Sequence, residues 1–429
     1  MTANIMTANI SNIIFDFDGT LVDTAPLIIT TMQATIKELK LEAKSDEECR
    51  STIGLRLEDI PSVLWPDESE KGKHYASTYR RIFERLKRPL NVSCYPGVVE
   101  TLRRLNEDGY RLAIASSRSH RSLDEYIHIF NMADIFDDIV GGDDISHGKP
   151  APDPVIAICS KLGWDTDSTM VVGDATVDIK MGKNAGTLTC GVTYGNQTGD
   201  LLKTANPDFI ADCFPVIYPI IYGVDHDIAN YVEKYIIPRY ETFDKAHRCD
   251  HVKTVISQSL RLSKHLPEID RNMAYIIAAY HDLGLVNGRE YHHIDSAKIL
   301  KDDPFIKKHF TDTQISVMAD AIEDHRASNK SKPRSNYGLI VAEADRCIDP
   351  ETIIRRTIQY GLANYPDLDK AGQIERTREH LENKYGPNGY LKIWIPWSDN
   401  AVRLNHLHTL LSDTELINGL IERIYSEKA

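Results

Sequence analysis

Short apolar runs that stop abruptly on acids or hydroxyls punctuate the first half of the chain. Ile13-Ile14-Phe15 stops on Asp16, with Asp18 and Gly19 just beyond; Leu112 to Ala115 stops on Ser116 and Ser117; Met170-Val171-Val172 stops on Gly173 and Asp174. Continuous apolar runs of this length predict strands buried on both faces, as in a parallel sheet. Alternate strand residues point the same way, so Asp16 and Asp18 share a face, and Gly19 lets the chain bend directly after them. The carboxylates then stand at the carboxyl ends of buried strands, where open α/β sheets bind ligands. Between the first two runs, Leu27, Ile28, Met32, Ile36 and Leu39 recur at helical spacing and predict a helical insert over about 24–90. Within it, Ile53-Gly54-Leu55-Arg56 reads as a turn that can bring Arg56 to a substrate, or leave it solvated. From about Asn230 helical periodicity takes over and strand signals nearly vanish. The expected architecture is α/β over residues 11–222, a Rossmann-like parallel sheet with an inserted helical cap, and then an all-α domain over 223–429. No Gly/Ser-rich linker separates the two.

Size and charge narrow the class. A chain of 429 residues is long enough for two to three domains. A net charge of −13 speaks against a broad nucleic-acid surface. It also means that an anionic substrate must be drawn in by local cations or metal. Seven scattered cysteines without a C-x-x-C pair suit a reducing, cytoplasmic setting better than a disulfide framework. No apolar run approaches ~18 residues, so no membrane span is expected.

Chemistry concentrates at the strand ends. Ser116 and Ser117 offer hydroxyls and neighbouring N–H groups to an oxyanion, or simply cap a helix. Lys149 lies beside Pro150 on a stiff segment, so its ammonium can be aimed at phosphate. Asp174 and, four residues on, Asp178 complete a hard-oxygen cluster suited to Mg²⁺. Asp16-x-Asp18-Gly-Thr20, the strand-end Ser116, Lys149 and Gly173-Asp174-x-x-x-Asp178, in that order, resemble the haloacid dehalogenase superfamily of phosphatases. The insert resembles the helical cap of its phosphoglycolate-phosphatase-like members. The resemblance implies Asp16 as nucleophile, Asp18 as general acid and then base, and Ser116 and Lys149 holding the transferring phosphoryl group. It implies Mg²⁺ on Asp16, Asp174 and the Asp18 carbonyl with Asp178 alongside, and a small phosphorylated substrate also touched by Thr20, Ser117 and Arg56. Asp18 argues against a true dehalogenase; a phosphomutase shares the same motifs.

The second half is rich in helix-borne histidines: His247 and His251, His281-Asp282, His292-His293 and His325, then Asp345 on an apolar helix. A lone histidine of this kind is ordinarily structural. Imidazole and carboxylate together suit Mn, Fe, Co, Ni or Zn better than Ca²⁺. The set resembles the HD superfamily of metal-dependent phosphohydrolases. It implies a first metal on His251, His281, Asp282 and Asp345. A second would sit on His292 and His325, with Asp282 bridging and His293 competing with His292. Arg326, Lys330, Lys332 and Arg334 form a basic loop that anchors an anionic substrate or is merely solvated, with Arg326 the candidate contact. The expectation is a bifunctional hydrolase that removes phosphate from a monoester through Asp16 and cuts a phosphate ester or diester at the His/Asp site. A di-iron oxygenase similar to the HD fold carries the same ligand set; a regulatory module is the other alternative, and the intact ligand sets in both halves argue against it. Trp394, Trp397 and the amphipathic tail suggest core or subunit packing, so a homo-oligomer is among the expectations.

Overall fold

A computed structural model describes residues 10–66, 74–87, 92–243, 248–326, 331–346 and 348–427. The chain divides into two compact units, with the division between Glu233 and Lys234. Residues 223–233 therefore go with the first unit, where the Asn230 side chain donates to the Ile210 carbonyl and accepts from the Asp212 N–H.

The first unit is built on β1 (Asn12–Phe15), the antiparallel pair β2 (Val22–Asp23) and β3 (Ser93–Cys94), then β4 (Arg111–Ala115), β5 (Asp138–Val140), β6 (Thr169–Gly173), β7 (Leu188–Val192) and β8 (Phe209–Ala211). Six strands form one parallel sheet in the order β5-β4-β1-β6-β7-β8. Ile13, Ile14, Phe15, Leu112, Ile114, Val171 and Val172 are fully buried, which is why these segments lack polar alternation. Phe15 pairs with Ile114 on one side and Val172 on the other. The register brings Asp16, Ser116 and Asp174 to one edge of the sheet, beside the central strand from which the connections diverge.

The chain leaves this edge through β2 and returns through β3, an antiparallel two-residue pair. Between them lie helices Ala25–Leu39, Asp46–Ser51, Ile60–Leu64 and Tyr75–Leu86. Ser45 and Glu48 make a reciprocal capping box at the second helix. Trp65, Tyr75, Tyr79 and Phe83 form a run of ring contacts with centroids 5.8–6.2 Å apart that ties the last helix to the insert's core.

The described residues of the second unit contain helices and no strands. Helices Cys249–Ser263, Arg271–Tyr280, His292–Asp302, Asp312–Asp324 and Asn336–Ala344 pack on one another. Four further helices, from Pro350 to Ser426, close a separate core around Ile354, Ile358, Leu381, Leu407 and Ile421. No described helix is long and apolar enough to cross a membrane.

Candidate functional site

The first cluster is assembled by the sheet edge. Asp16 follows β1 directly, is 3% exposed, and its N–H donates to the Val172 carbonyl at 2.9 Å. Carboxylate oxygens of Asp16, Asp174 and Asp178 lie within 4.8 Å of one another, and all three residues are buried. Lys149 is the cation between them: its Nζ donates to Asp16 Oδ1, and to Asp178 Oδ1 at 2.6 Å. The other Asp178 oxygen accepts from the Ala175 N–H at 3.0 Å, so this carboxylate serves the lysine and the helix start together. Three buried carboxylates against one ammonium leave an excess of negative charge in a dry site. Burial accordingly pushes Asp16 well above the usual carboxylate range, against the pull of Lys149, and pushes Asp174 up to about 7 with help from Asp178. The oxygen-only donors and surplus negative charge fit a hard divalent cation.

The other residues singled out from the sequence surround this cluster. Thr20 Oγ1 stands 3.4 Å from both Asp16 Oδ2 and Asp174 Oδ1. Ser116 is buried, and its Oγ accepts from the Arg118 N–H at 3.2 Å. Ser117 donates to the Gly54 carbonyl of the insert at 2.6 Å, so it ties cap to sheet. Arg56 donates to the Ser146 carbonyl at 2.9 Å and lines the cavity above Asp16 and Asp18.

Two contacts carry no sequence signal of their own. Arg118 forks onto Asp18, with Nε 3.1 Å from Oδ2 and Nη2 2.5 Å from Oδ1, while Thr24 donates to Oδ1 at 2.6 Å. The guanidinium lies against the rings of Tyr126, Phe83 and Phe17 at 5.0–5.9 Å. From the loop after β7, the Asn196 N–H donates to Asp174 Oδ2 at 2.5 Å and its side chain donates to the Asp18 carbonyl at 3.1 Å. Asn196 Oδ1 is buried with no partner among the described residues. Gly19, at φ +95°, is required where these groups meet: a Cβ there would fall 2.1 Å from Asn196 Nδ2 and 2.2 Å from Asp174 Oδ2.

The second cluster gathers at helix ends. His281, His325 and Asp345 each occupy the C-cap of a helix, Asp282 follows His281, and His292 opens the next helix. Asp282 faces two ways. Its Oδ2 is 3.3 Å from His281 Nε2 and 3.6 Å from His251 Nε2; its Oδ1 is 3.5 Å from both His292 and His325 Nε2. Asp345 Oδ1 lies 3.2 Å from His251. The Nδ1 atoms of His281, His292 and His325 sit 2.6–2.8 Å from the carbonyls of Ala278, Arg289 and Ile322. A carbonyl only accepts, so Nδ1 carries the proton and Nε2 presents a lone pair. His292 and His325 nevertheless face each other Nε2 to Nε2 at 3.3 Å. Two bare lone pairs at that distance call for a cation between them, and this donor chemistry fits a transition metal. Burial disfavours a charged His251, yet Asp282 and Asp345 outweigh it and lift this imidazole to about 9.

His292, rather than His293, reaches Asp282; His293 packs ring to ring against His292 at 5.5 Å, with its Nδ1 buried and without a partner among the described residues. Arg326 donates to the Glu290 carbonyl at 3.0 Å, and Arg334 is held by Asp320, Glu323 and Asp324. His247 and Lys330 lie outside the described residues.

Comparison with known proteins agrees with both halves. Residues 13–192 match the family model of haloacid dehalogenase-like hydrolases, and residues 248–348 match that of the HD domain. A probable phosphatase IndB of Dickeya dadantii is 36% identical over 205 residues, 47% of this chain and 89% of that protein. Pyrophosphatase PpaX of Halalkalibacterium halodurans is 33% identical, over 49% of this chain and 97% of its own length. A phosphoglycolate phosphatase of Salmonella choleraesuis is 27% identical, over 51% and 94%. On this evidence the chain belongs to the haloacid dehalogenase-like hydrolases, as a phosphatase that carries an HD domain in its second half.

Proposed function

We propose that the chain is a bifunctional phosphohydrolase. In the first half, an Asp16 oxygen attacks the phosphorus of a small phosphomonoester, the P–O bond to the alcohol breaks, and the leaving oxygen takes a proton from Asp18. Asp18, now a carboxylate, takes a proton from the water that attacks the aspartyl-phosphate, releasing inorganic phosphate and regenerating Asp16. Lys149 and the Ser116 hydroxyl hold the equatorial oxygens during transfer. Asp178 keeps Lys149 in place, and Asn196 orients Asp174 and the Asp18 carbonyl. Mg²⁺ suits Asp16, Asp174 and the Asp18 carbonyl, and supplies further charge neutralisation when bound. The observation that carries this reading is the buried Asp16–Lys149–Asp178 arrangement with Asp174 at the carboxyl edge of the sheet.

In the second half, His251, His281, Asp282 and Asp345 form one ligand set and His292, His325 and Asp282 another, for Mn, Fe, Co, Ni or Zn. Such a metal supplies Lewis acidity for cutting a phosphate ester or diester. The chain's own part is to fix the imidazoles through their Nδ1–carbonyl bonds and to share Asp282 between the two sets.

Phosphate release from monoesters and diesters tests both halves, using wild type, Asp16→Asn and His281→Ala/Asp282→Ala with Mg²⁺, Mn²⁺, Fe²⁺ or Ni²⁺. Monoester activity is lost only with Asp16→Asn, and diester activity only with the paired change. Intact diester hydrolysis in the paired variant would refute the second assignment, and oxygen uptake would then test the oxygenase alternative.

A further inference from the structure

The cavity above Asp16 and Asp18 measures about 410 Å³, within the range of clefts that enclose a whole small-molecule ligand. A transferring phosphoryl group needs only its floor. The walls are contributed by Ile28 and Met32 of helix Ala25–Leu39, Tyr79 and Phe83 of helix Tyr75–Leu86, and Ile53 and Leu55 of the intervening turn. Tyr79 and Phe83 stack on each other with centroids 5.9 Å apart, so a flat aromatic surface edges the space.

Charge on the same lining runs against a second anion. Three arginines reach the cavity, and each is engaged: Arg118 on Asp18 and Ser122, Arg80 on Glu58 at 2.5 Å, and Arg56 on the Ser146 carbonyl. Glu84 and Asp143 add carboxylates to Asp16, Asp18 and Glu58, and the lysines nearby are taken up in the same way, Lys149 by Asp16 and Lys87 by Glu84, so the lining offers no surplus cation to a second anion. A carboxylate or second phosphate on the substrate would meet apolar walls and arginines that the protein's own groups already engage.

We infer that the substrate of this site is the phosphomonoester of an uncharged alcohol with an apolar, ring-sized body, and not a compact dianion such as phosphoglycolate or pyrophosphate. The inference rests on the phosphatase reading of the Asp16 site. Apolar pockets discriminate by about tenfold to a few hundredfold for modest differences in fit, which sets the scale of the expected preference.

The test compares kcat/KM of the full chain with Mg²⁺ on 2-phenylethyl phosphate, ethyl phosphate, phosphoglycolate and pyrophosphate. The monoesters among them are unactivated, so leaving-group chemistry does not mask recognition. Phenylethyl phosphate exceeds ethyl phosphate and phosphoglycolate by about tenfold or more, mainly through KM. Leu55→Lys, at a half-buried position, narrows or reverses that ratio while its thermal midpoint stays near wild type. Calorimetric binding of 2-phenylethylphosphonate against phosphonoacetate gives the same order without turnover. A wild type that prefers phosphoglycolate or pyrophosphate overturns the inference and leaves the phosphatase reading standing. Phosphate release that survives Asp16→Asn, or release from no ester at all, overturns the phosphatase reading and this inference with it.

Discussion

Lys149→Met removes the single ammonium from the first cluster and keeps most of its volume. Lys149 and Asp178 side chains are each 1% exposed and Asp16 is 4% exposed, so water cannot replace the lost cation. Breaking a buried ion pair by deleting one partner costs about 3–5 kcal/mol. In a domain of this size each kcal/mol moves Tm by about 2–4 °C, so the expected fall is about 6–20 °C. The pH dependence follows from the acids left behind. Burial already raises Asp16 and holds Asp174 at about 7. A carboxyl raised on folding opposes folding increasingly as pH climbs from its unfolded value to its folded one. The deficit of the variant is therefore largest near pH 8 and shrinks toward pH 5, where protons take the place of the lysine. Differential scanning calorimetry of the full chain in chelator reads this, on the transition that Mg²⁺ raises in wild type. A variant within about 2 °C of wild type at pH 8, or a deficit that grows toward pH 5, would refute the reasoning.

Arg118→Lys keeps the charge but loses the fork on Asp18, and steady-state kinetics should show kcat lowered by about tenfold, with Arg118→Ala lower still. Gly19→Ala forces a side chain into a φ of +95° against Asn196 and Asp174, so it should cost about 1–3 kcal/mol and weaken Mg²⁺ binding in a calorimetric titration. In the second half, His281→Ala/Asp282→Ala should bring transition-metal content by mass spectrometry down to background while Asp16-dependent phosphate release persists. Metal uptake there should also weaken as pH falls below about 9, by up to about tenfold per unit, because a proton on His251 competes with the metal. A titration at three pH values that shows no such trend would count against His251 as a ligand.

The sheet edge was legible because parallel strands must be apolar throughout, so each polar residue that ends a run marks the rim. β7 lacks that announcement. Thr189, Cys190 and Gly191 occupy its middle, and Gly191 is set by the close approach of the Leu202 side chain rather than by any local pattern. Arg118 and Asn196 stayed hidden for another reason. Their partners are Asp18 side chain and backbone, 100 and 178 residues away, and no spacing rule reports a contact of that range. In the second half the ligand types were legible as a list, and the choice between His292 and His293 required the helix start that aims one of them at Asp282. The basic loop was misleading in part: Arg334 meets its own acids within its neighbourhood, a pairing that a run of like charges conceals.

The helix ends of the second cluster have an electrostatic meaning of their own. His281, His325 and Asp345 cap the carboxyl termini of helices of 10, 13 and 9 residues, so three negative poles meet here and outnumber the two positive poles of the helices that begin beside His251 and at His292. That field exists before any side chain ionises. It attracts divalent ions over sulfate or free phosphate, and it gives the pocket a standing bias that substitution of a single ligand would not erase. A variant stripped of one imidazole should therefore still gather cations weakly at this point. Anionic substrates, by contrast, should be drawn here only once the metal has reversed the local potential.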